Sequence, residues 1–328
     1  MQKLITFLLD KLSVKDFVCL TVCVFDPIMG IYLMRLTPLK LEDSMEHYQK
    51  SLLSLHGAVM LMGLSAVLGR FLSVPAISIA AGRVVCSSAL LLLLALISKQ
   101  NLHLNRKQDY GVVILAELIL AVHWSTFFLS IQKSSVAMGT ITFSAFPLFL
   151  TILEPLVFRE IPSRKSIVCA CILVVGVLIT IPEFSGENQI TAGALWGLVS
   201  SFSYAILSLF NRYLSRKYNA LVVCLYEQAT AAVVLFPAFF LLPCHWDAVN
   251  IAGIAVLGFV CTALAHCLYV HAQKHVKAQT AGIVSGMETV YGILYAMLLL
   301  GEYPTAREWL GGAVILFASL APWIGSRE

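Results

Sequence analysis

A short signature at the end of an apolar run occurs twice in this chain. Glu160-Ile161-Pro162-Ser163 recurs in the second half as Glu302-Tyr303-Pro304-Thr305. About five apolar spans separate the copies, and because that number is odd, the second half must enter a membrane from the opposite side. The sequence therefore predicts an internal duplication of inverted topology. The apolar segments that flank the copies are 136–158 and 167–181 in the first half, and 278–300 and 309–323 in the second.

The composition excludes a soluble globular protein. Of the 328 residues, 59% are hydrophobic and 12% are charged, and the mean hydropathy is +0.87. Apolar residues fill whole runs without alternating, which favours helices over barrel strands. Because about 20 apolar residues cross a bilayer, we predict an all-α integral membrane protein with about ten transmembrane helices, as two inverted five-helix repeats. The predicted spans are 52–73, 76–98, 111–131, 135–158, 165–182, 190–211, 219–242, 248–270, 277–300 and 305–324.

The distribution of Lys and Arg predicts the orientation of these helices. If the residues before Leu52 are cytoplasmic, the segments on the outside carry only Arg70, Lys133 and Arg307. This positive-inside asymmetry predicts cytoplasmic N- and C-termini and a location in the inner (cytoplasmic) membrane. The asymmetry also accounts for the net charge of +4, so no nucleic-acid partner is predicted.

The first 51 residues form a segment of their own. The stretch 17–34 is apolar, but Asp26-Pro27 interrupts it, and Lys15 and Arg35 flank it. A full crossing would place the basic residues before it outside, so we expect an interfacial or re-entrant helix and not an eleventh span. The predicted organisation is this segment, a first repeat, an outside linker, and a second repeat with a short tail, at 1–51, 52–182, 183–189 and 190–328.

Prolines and ionisable residues stand at characteristic places within the predicted spans. They are Pro75 followed by Arg83, Pro147 before Glu160, and Glu288 before Gly301-Glu302. In these residues each half resembles an EamA domain of the drug/metabolite transporter superfamily, over essentially all of 52–324. The resemblance implies ten helices in two inverted sets of five, and a central cavity between the first four helices of each half. Thr289 departs from it, because the family usually has proline after the glutamate.

Two residues of opposite charge occupy corresponding positions in the two halves. Arg83 follows Pro75 in the second span at the spacing by which Glu227 follows Asn219 in the seventh. A charge at the centre of a membrane costs about 2.5 to 3.5 kcal/mol even on insertion scales, so both residues should face a cavity or each other. They would form either a permanent salt bridge between the halves or a site for a zwitterionic ligand at the midplane.

Glu288 is the strongest single candidate for a binding role. Tyr291 follows it at i+3, on the same face of the ninth span. A carboxyl group desolvated at this depth could exchange a proton or meet a cationic substrate group. We therefore favour a functional role over a purely structural one.

The third span contributes two more ionisable residues. Glu117 and His123 are six residues apart, so they face different sides of the helix, which argues against an acid–base pair of an intramembrane enzyme. His123 and the neighbouring Trp124 are predicted to line the cavity, whereas Glu117 suits a helix–helix hydrogen bond equally well. His266 in the eighth span is compatible with an ordinary buried histidine.

Several aromatic residues lie in the same spans and could form a box for a planar or cationic ligand, although most aromatic residues of membrane helices pack or anchor at the interface. Combined with the ionisable residues, they define the predicted site. The predicted substrate-binding residues are Arg83, His123, Trp124, Tyr204, Glu227, Tyr269, Glu288 and Tyr291.

No cofactor, metal site or catalytic residue is predicted. His271 and His275 have the i, i+4 spacing of a chelate, but Lys274 lies between them and no third ligand is near. The nine cysteines have no zinc spacing and are expected to be small buried hydrophobes. No Walker loop or nucleophile elbow is present.

The duplication, the intramembrane ionisable residues and the resemblance together predict a secondary transporter. We expect it to move a small polar or amphipathic metabolite, such as an amino acid, by alternating access. The alternatives are an exchanger of S-adenosylmethionine or a similar nucleoside-type cofactor, an intramembrane enzyme, and a scaffold. The expected partners are the metabolite, a coupling proton and membrane lipid, and a homodimer is compatible with the sequence.

Overall fold

The computed structural model describes residues 41–158, 164–181, 188–215, 217–272 and 278–320. Within these ranges the chain forms helices and no strand, in agreement with the predicted all-α class. The predictions for residues 1–40, for the signature copy at 160–163, for most of the linker at 183–189 and for His275 fall outside the described residues.

The helices follow one another with short connections. In chain order they are α1 (Leu41–Phe71), α2 (Ala76–Ile97), α3 (Lys107–Lys133), α4 (Val136–Phe143), α5 (Phe146–Phe158), α6 (Arg164–Thr180), α7 (Gln189–Ser215), α8 (Ala220–Leu235), α9 (Ala238–Leu241), α10 (Ala248–Gly258), a first π-helix (Phe259–Leu264), α11 (Ala265–Ala272), α12 (Ala278–Tyr295), a second π-helix (Ala296–Leu300) and α13 (Ala306–Leu320).

Several of these helices have the length and composition of membrane spans. Six helical stretches of the described chain are long and apolar enough to cross a bilayer, which makes the protein a multi-pass membrane protein. They are Lys50–Phe71, Ala76–Ile97, Lys107–Lys133, Gln189–Asn211, Ala220–Leu241 and Ala248–Tyr269. The other four predicted spans correspond to shorter or interrupted helices, so the described residues do not reach the predicted count of ten.

The first helix begins earlier than predicted. α1 starts at Leu41, whereas the first predicted span begins at residue 52. The stretch 42–50 contains no proline or glycine, and Glu, Met, Gln and Lys are good helix formers, so nothing in it ends a helix.

The fourth predicted span is divided into two helices. α4 ends at Phe143 and α5 begins at Phe146, which places Pro147 in the first turn of α5. Proline has no N–H to donate and fits a first turn, but it would interrupt a continuous helix. At the break, the Ser144 hydroxyl lies 3.0 Å from the carbonyl oxygen of Thr140 and also hydrogen bonds to Thr289 of α12. The broken span is therefore tied to the second half of the chain.

The position where the family usually has proline is occupied by Thr289, and α12 runs through it without a break. The two π-helices lie elsewhere. In the first, the Thr262 hydroxyl donates to the carbonyl oxygen of Leu257, five residues earlier, at 2.7 Å. The second ends at Gly301, whose φ of +68° lies in the left-handed region that favours glycine. π-Helical segments of this kind occur frequently at functional sites.

The helices that follow the two signature copies in sequence pack against each other in opposite directions. A Cβ atom at Gly176 of α6 would lie 2.8 Å from Ile315 of α13, and one at Gly311 would lie 2.9 Å from the backbone nitrogen of Thr180. As the residue number rises in α13 it falls in α6, so the pair is antiparallel. The starts of α6 and α13, at Arg164 and Ala306, therefore lie at opposite ends of the pair.

Glycine also brings α7 close to α3. The Ser130 hydroxyl of α3 donates to the carbonyl oxygen of Gly193 at 2.7 Å, and a Cβ atom at Gly193 would lie 3.1 Å from the Ser130 carbonyl oxygen. Small residues allow such close approach of helix backbones in membrane proteins. The tight α3–α7 contact, with α2 and α8 packed beside it, forms the frame around the candidate site.

Candidate functional site

A small cavity lies at the centre of the described helices. Its volume is about 30 Å³, which holds a water molecule or two but no metabolite. Its walls come from α1, α2, α3, α4, α7, α11 and α12. The lining residues are Met62, Ser65, Arg83, His123, Trp124, Phe127, Phe143, Tyr204, His266 and Glu288.

Arg83 is the cationic group of this cavity. Its side chain is 3% exposed, and its guanidinium carbon lies 4.1 Å from the centroid of the Trp124 ring, a cation–π distance. Its Nε donates to the Thr262 hydroxyl at 2.9 Å, which places the first π-helix behind the guanidinium. Among the described residues, no carboxylate forms an ion pair with Arg83. The guanidinium is thus held in place while its remaining N–H groups stay available for an anionic group.

Glu288 contributes a carboxyl group to the same cavity. It interacts electrostatically with Arg83 without forming a direct ion pair in the described structure. Its backbone carbonyl oxygen would lie 3.0 Å from a Cβ atom at Gly63, so α1 and α12 are in close contact beside it. The cavity therefore carries one cationic and one anionic group that are separated from each other.

His123 is fixed by α7. Its Nδ1 lies 2.8 Å from the Ser200 hydroxyl and 3.0 Å from the Ser200 carbonyl oxygen. Because a carbonyl oxygen only accepts hydrogen bonds, Nδ1 carries the proton in this arrangement and a neutral ring presents Nε2 as an acceptor. The imidazole ring packs 4.9 Å from the Tyr204 ring and 5.3 Å from the Phe143 ring, centroid to centroid.

An aromatic wall completes the cavity. The Tyr204 ring lies edge-on to Phe146 at 4.9 Å and to Phe143 at 5.3 Å, and Trp124 lies edge-on to His266 at 5.7 Å. Such edge-to-face contacts hold the rings rigidly and leave flat faces for a planar or apolar ligand group. The wall and the two charged groups suit a ligand that has both polar and apolar parts.

Three predicted site residues do not line the cavity. Tyr269 pairs its hydroxyl with Ser285 at 2.9 Å, and the Tyr291 hydroxyl lies 3.3 Å from Nδ1 of His56. Glu227 interacts electrostatically with Glu117 and forms no ion pair with Arg83 in the described structure, so the salt bridge, one of the two predicted alternatives, is absent there. Equal spacing from the start of a helix fixes the depth of a side chain, but not the direction in which it points.

Some of the lining residues carry only a weak signal in the sequence, or none. His266 lines the cavity, although the sequence suggested only an ordinary buried histidine. Met62, Ser65 and Phe143 were not singled out, because small and apolar residues in a membrane helix give no signal that separates a cavity wall from ordinary packing. Glu117 is not among the lining residues, in keeping with its predicted angular separation from His123.

One end of the helix bundle is tied by Arg70 and Glu302. Arg70 Nε lies 3.0 Å from Oε1 of Glu302, and its Nη1 donates to the carbonyl oxygens of Ile131 and Gln132 at 3.1 and 3.2 Å. The other carboxylate oxygen of Glu302 accepts from the backbone nitrogen of Val136 at 3.2 Å. We call this set the first latch; it joins the ends of α1 and α3 to the second signature copy.

The opposite end of α3 carries another polar network. Asp109 accepts from the Tyr218 hydroxyl at 2.6 Å and the Tyr213 hydroxyl at 2.8 Å, and forms an ion pair with Lys217 at 3.2 Å. Hydrogen bonding to Tyr213, together with the Asp109 carboxylate, raises the pKa of Lys217 and keeps it charged. We call this set the second latch; it joins the start of α3 to the α7–α8 connection.

Comparison with known proteins gives one family match and several similar relatives. The EamA-like transporter family matches residues 49–181 and 191–321. An uncharacterized transporter of Archaeoglobus fulgidus is 25% identical over 61% of this chain and 71% of its own length. The inner membrane transporter YicL of Salmonella typhimurium, also uncharacterized, is 24% identical over 68% of this chain and 76% of its own.

Two further matches are a relative named as an exporter and a solved structure. The pseudopaline exporter CntI of Pseudomonas aeruginosa is 23% identical over 70% of this chain and 81% of its own length. One crystal structure shares the fold, with a TM-score of 0.60 at 15% identity, over 84% of this chain and 96% of the matched chain. At this identity the likeness extends to the fold alone.

Proposed function

The chain belongs to the EamA-like transporter family, and from that membership we propose that it is a secondary transporter for small amphipathic metabolites with an anionic group, amino acids first among them. The observation that carries the proposal is the arrangement of Arg83, which is fixed by Thr262 and Trp124 but retains free N–H groups towards the cavity. A ligand carboxylate on Arg83 and a ligand amine near Glu288 would match the separated charges of the cavity.

The topology that we propose has ten helices, five in each inverted half, with both termini in the cytoplasm and the protein in the inner membrane. The two family matches, one in each half, support the duplication. The antiparallel packing of α6 and α13 supports the inversion, because each of these helices follows one signature copy. The Lys and Arg distribution supports the orientation.

Alternating access is the mechanism that we propose. The cavity is too small for a metabolite, and a latch closes the bundle on either side of it, which suits an occluded state between two open ones. Breaking the first latch would open the cavity at the end where Glu302 lies, and breaking the second would open it at the end where Asp109 lies. The name of the Pseudomonas relative favours export as the direction.

An exchanger of S-adenosylmethionine or a similar nucleoside-type cofactor is the second candidate. The observation that favours it is the aromatic wall of Trp124, Phe143 and Tyr204, on which a planar base could stack. An amino acid would need only the charged groups of the cavity. A nucleoside would also need room for its base beside the aromatic wall. The two candidates therefore differ in which radiolabelled compound exchanges.

Counterflow in vesicles containing the purified protein tests the proposal. Vesicles loaded with unlabelled amino acids or with S-adenosylmethionine are diluted into the labelled compound, and the accumulation of label is followed. We expect saturable exchange of at least one amino acid, lost in Arg83→Gln. Exchange of S-adenosylmethionine alone would favour the second candidate, and no exchange by the parent protein in either case would contradict both.

A further inference from the structure

Two carboxyl groups are buried together outside the central cavity. Glu117 on α3 and Glu227 on α8 are 0% and 2% exposed, and the two helices pack against each other. The two side chains interact electrostatically, and neither lines the cavity around Arg83. The mechanism proposed above makes no use of them.

Several carboxyl oxygens of this pair lack a hydrogen-bond donor among the described residues. Both carboxyl oxygens of Glu117 and Oε1 of Glu227 have no hydrogen-bond partner. The Asn211 side chain of α7 interacts electrostatically with Glu227, and the Oδ1 atom of Asn211 has no donor among the described residues either. Buried polar atoms without partners are rare in folded proteins and need an explanation. The unpartnered atoms of these three residues are all acceptors, which a proton or a cation would satisfy. The neighbouring Gln228 also leaves both atoms of its amide without a partner among the described residues.

Within the part of the chain that the structure describes, no cationic side chain pairs with either carboxyl group. From α8 and α11, the groups that face them are the thiols of Cys224 and Cys267, and from α7 they are Asn211 and the Tyr204 hydroxyl. Helix α2 also packs against α8, but its Arg83 is engaged by Thr262 and Trp124 in the cavity. Helix α4 has no ionisable residue.

Two carboxylates in this setting would repel each other without solvent or a countercharge. A proton on one of them removes one charge and supplies a donor for the other. The pair is therefore suited to bind a proton that it gives up when water or a conformational change reaches it. A metal ion fits less well, because the described residues contain no group of three His, Cys, Asp or Glu side chains that could hold one.

Neighbouring residues link the pair of carboxyl groups to the second latch and to the cavity. Asp109 of the second latch lies two helical turns before Glu117 on α3, about 12 Å along the axis, so opening this latch would admit water towards the pair. Tyr204 interacts electrostatically with Glu227, and its ring packs against His123 in the cavity. A substrate in the cavity would thus contact a side chain that also faces the pair.

We propose that Glu117 and Glu227 form a proton-binding pair, separate from the substrate cavity, that takes up and releases one coupling proton in each transport cycle. The proton is taken from water at one face of the membrane and returned to water at the other. This inference rests on the proposed transport function, but proton binding is measurable on the purified protein without any substrate.

Infrared spectroscopy tests proton binding directly, because a protonated carboxyl group has a C=O band that a carboxylate lacks. As the pH is raised, the parent protein should lose a band that both Glu117→Gln and Glu227→Gln abolish. Asp247→Asn is the matched control, since Asp247 caps α10 at the surface and asparagine caps equally well; the band should remain. No pH-dependent band in the parent protein, or an unchanged band in both Gln variants, would overturn the proposal.

Transport into vesicles tests the coupling, with a mixture of radiolabelled amino acids as the probe. Uptake driven by a pH gradient should fall at least about tenfold in Glu117→Gln and Glu227→Gln, whereas counterflow at equal pH should stay within about twofold of the parent rate. Gradient-driven uptake that persists in both variants, or uptake driven by sodium and not by pH, would contradict the proposal. If the parent protein shows no counterflow, the proposed transport function is contradicted. The infrared experiment then still tests proton binding by itself.

Discussion

The guanidinium of Arg83 lies over the indole ring of Trp124, with 4.1 Å between its central carbon and the ring centroid. A desolvated cation–π contact is worth about 2 kcal/mol, so the ring compensates in part for the missing carboxylate. Among the described residues, no carboxylate pairs with the guanidinium in addition to this contact. The same arrangement explains how an arginine can stay inside a membrane protein and still be available to a ligand.

Arg83→Lys should lower the counterflow of amino acids at least about tenfold, although the charge is retained. A lysine ammonium lacks the planar fork that binds a carboxylate through two parallel hydrogen bonds. Counterflow kinetics in vesicles measure the effect. Arg106→Lys, the same exchange at an exposed position before α3, is the control and should transport like the parent. Equal rates for the two variants would speak against Arg83 as a ligand group.

Thr262→Val should destabilise the protein by about 1–3 kcal/mol, because it removes the acceptor for Arg83 Nε from a buried site. Thr262→Ser keeps the hydroxyl, so this variant should lose much less stability. Thermal unfolding of the two purified variants in detergent gives the comparison. If valine and serine have the same effect, the hydrogen bond does not hold the guanidinium.

The ion pair of the first latch should show measurable but modest coupling. The side chains of Arg70 and Glu302 are 32% and 28% exposed, so we expect about 0.5–1 kcal/mol from a double-mutant cycle of Arg70→Gln and Glu302→Gln. Thermal unfolding of the single and double variants supplies the four values. Strictly additive effects would mean that the separate backbone contacts of Arg70 and Glu302 hold the latch and that their ion pair adds nothing.

Gly311→Ala should lower stability, because its methyl group would lie 2.7 Å from the carbonyl oxygen of Gly176 in the α6–α13 contact. Gly57→Ala is the matched control: nothing lies within 4 Å of that position, and alanine favours a helix over glycine by about 0.5–1 kcal/mol. We therefore expect opposite shifts in melting temperature. An unchanged melting temperature in Gly311→Ala would show that α6 and α13 pack less closely than this distance implies.

The sequence predicted the all-helical class and several of the residues that line the cavity, for clear physical reasons. Charged residues inside an apolar span are conspicuous, and Arg83 and Glu288 both line the cavity together with His123, Trp124 and Tyr204. Their depth follows from their distance to the ends of the helices. The intramembrane position of a charge is therefore readable from sequence.

The rest of the site depends on how each helix is rotated about its axis and on local departures from α-helical geometry. Neither can be read from the sequence. Arg83 and Glu227 were predicted to approach one site, but Glu227 does not line the cavity around Arg83 and interacts electrostatically with Glu117. The π-helix that places Thr262 behind Arg83 has no recognisable sequence signal. Ser65 lines the cavity, yet serine is also common at tight helix contacts.

Access to Ser65 from each face of the membrane tests alternating access most directly. A Ser65→Cys variant in oriented vesicles is treated with a membrane-impermeant maleimide from one side at a time, with the parent chain as the background for the native cysteines. Labelling should occur from both faces, with Arg70→Gln increasing it from the face where Glu302 lies and Asp109→Asn increasing it from the other. Labelling from one face only, or an increase at the same face in both variants, would contradict a cavity that opens alternately to the two sides.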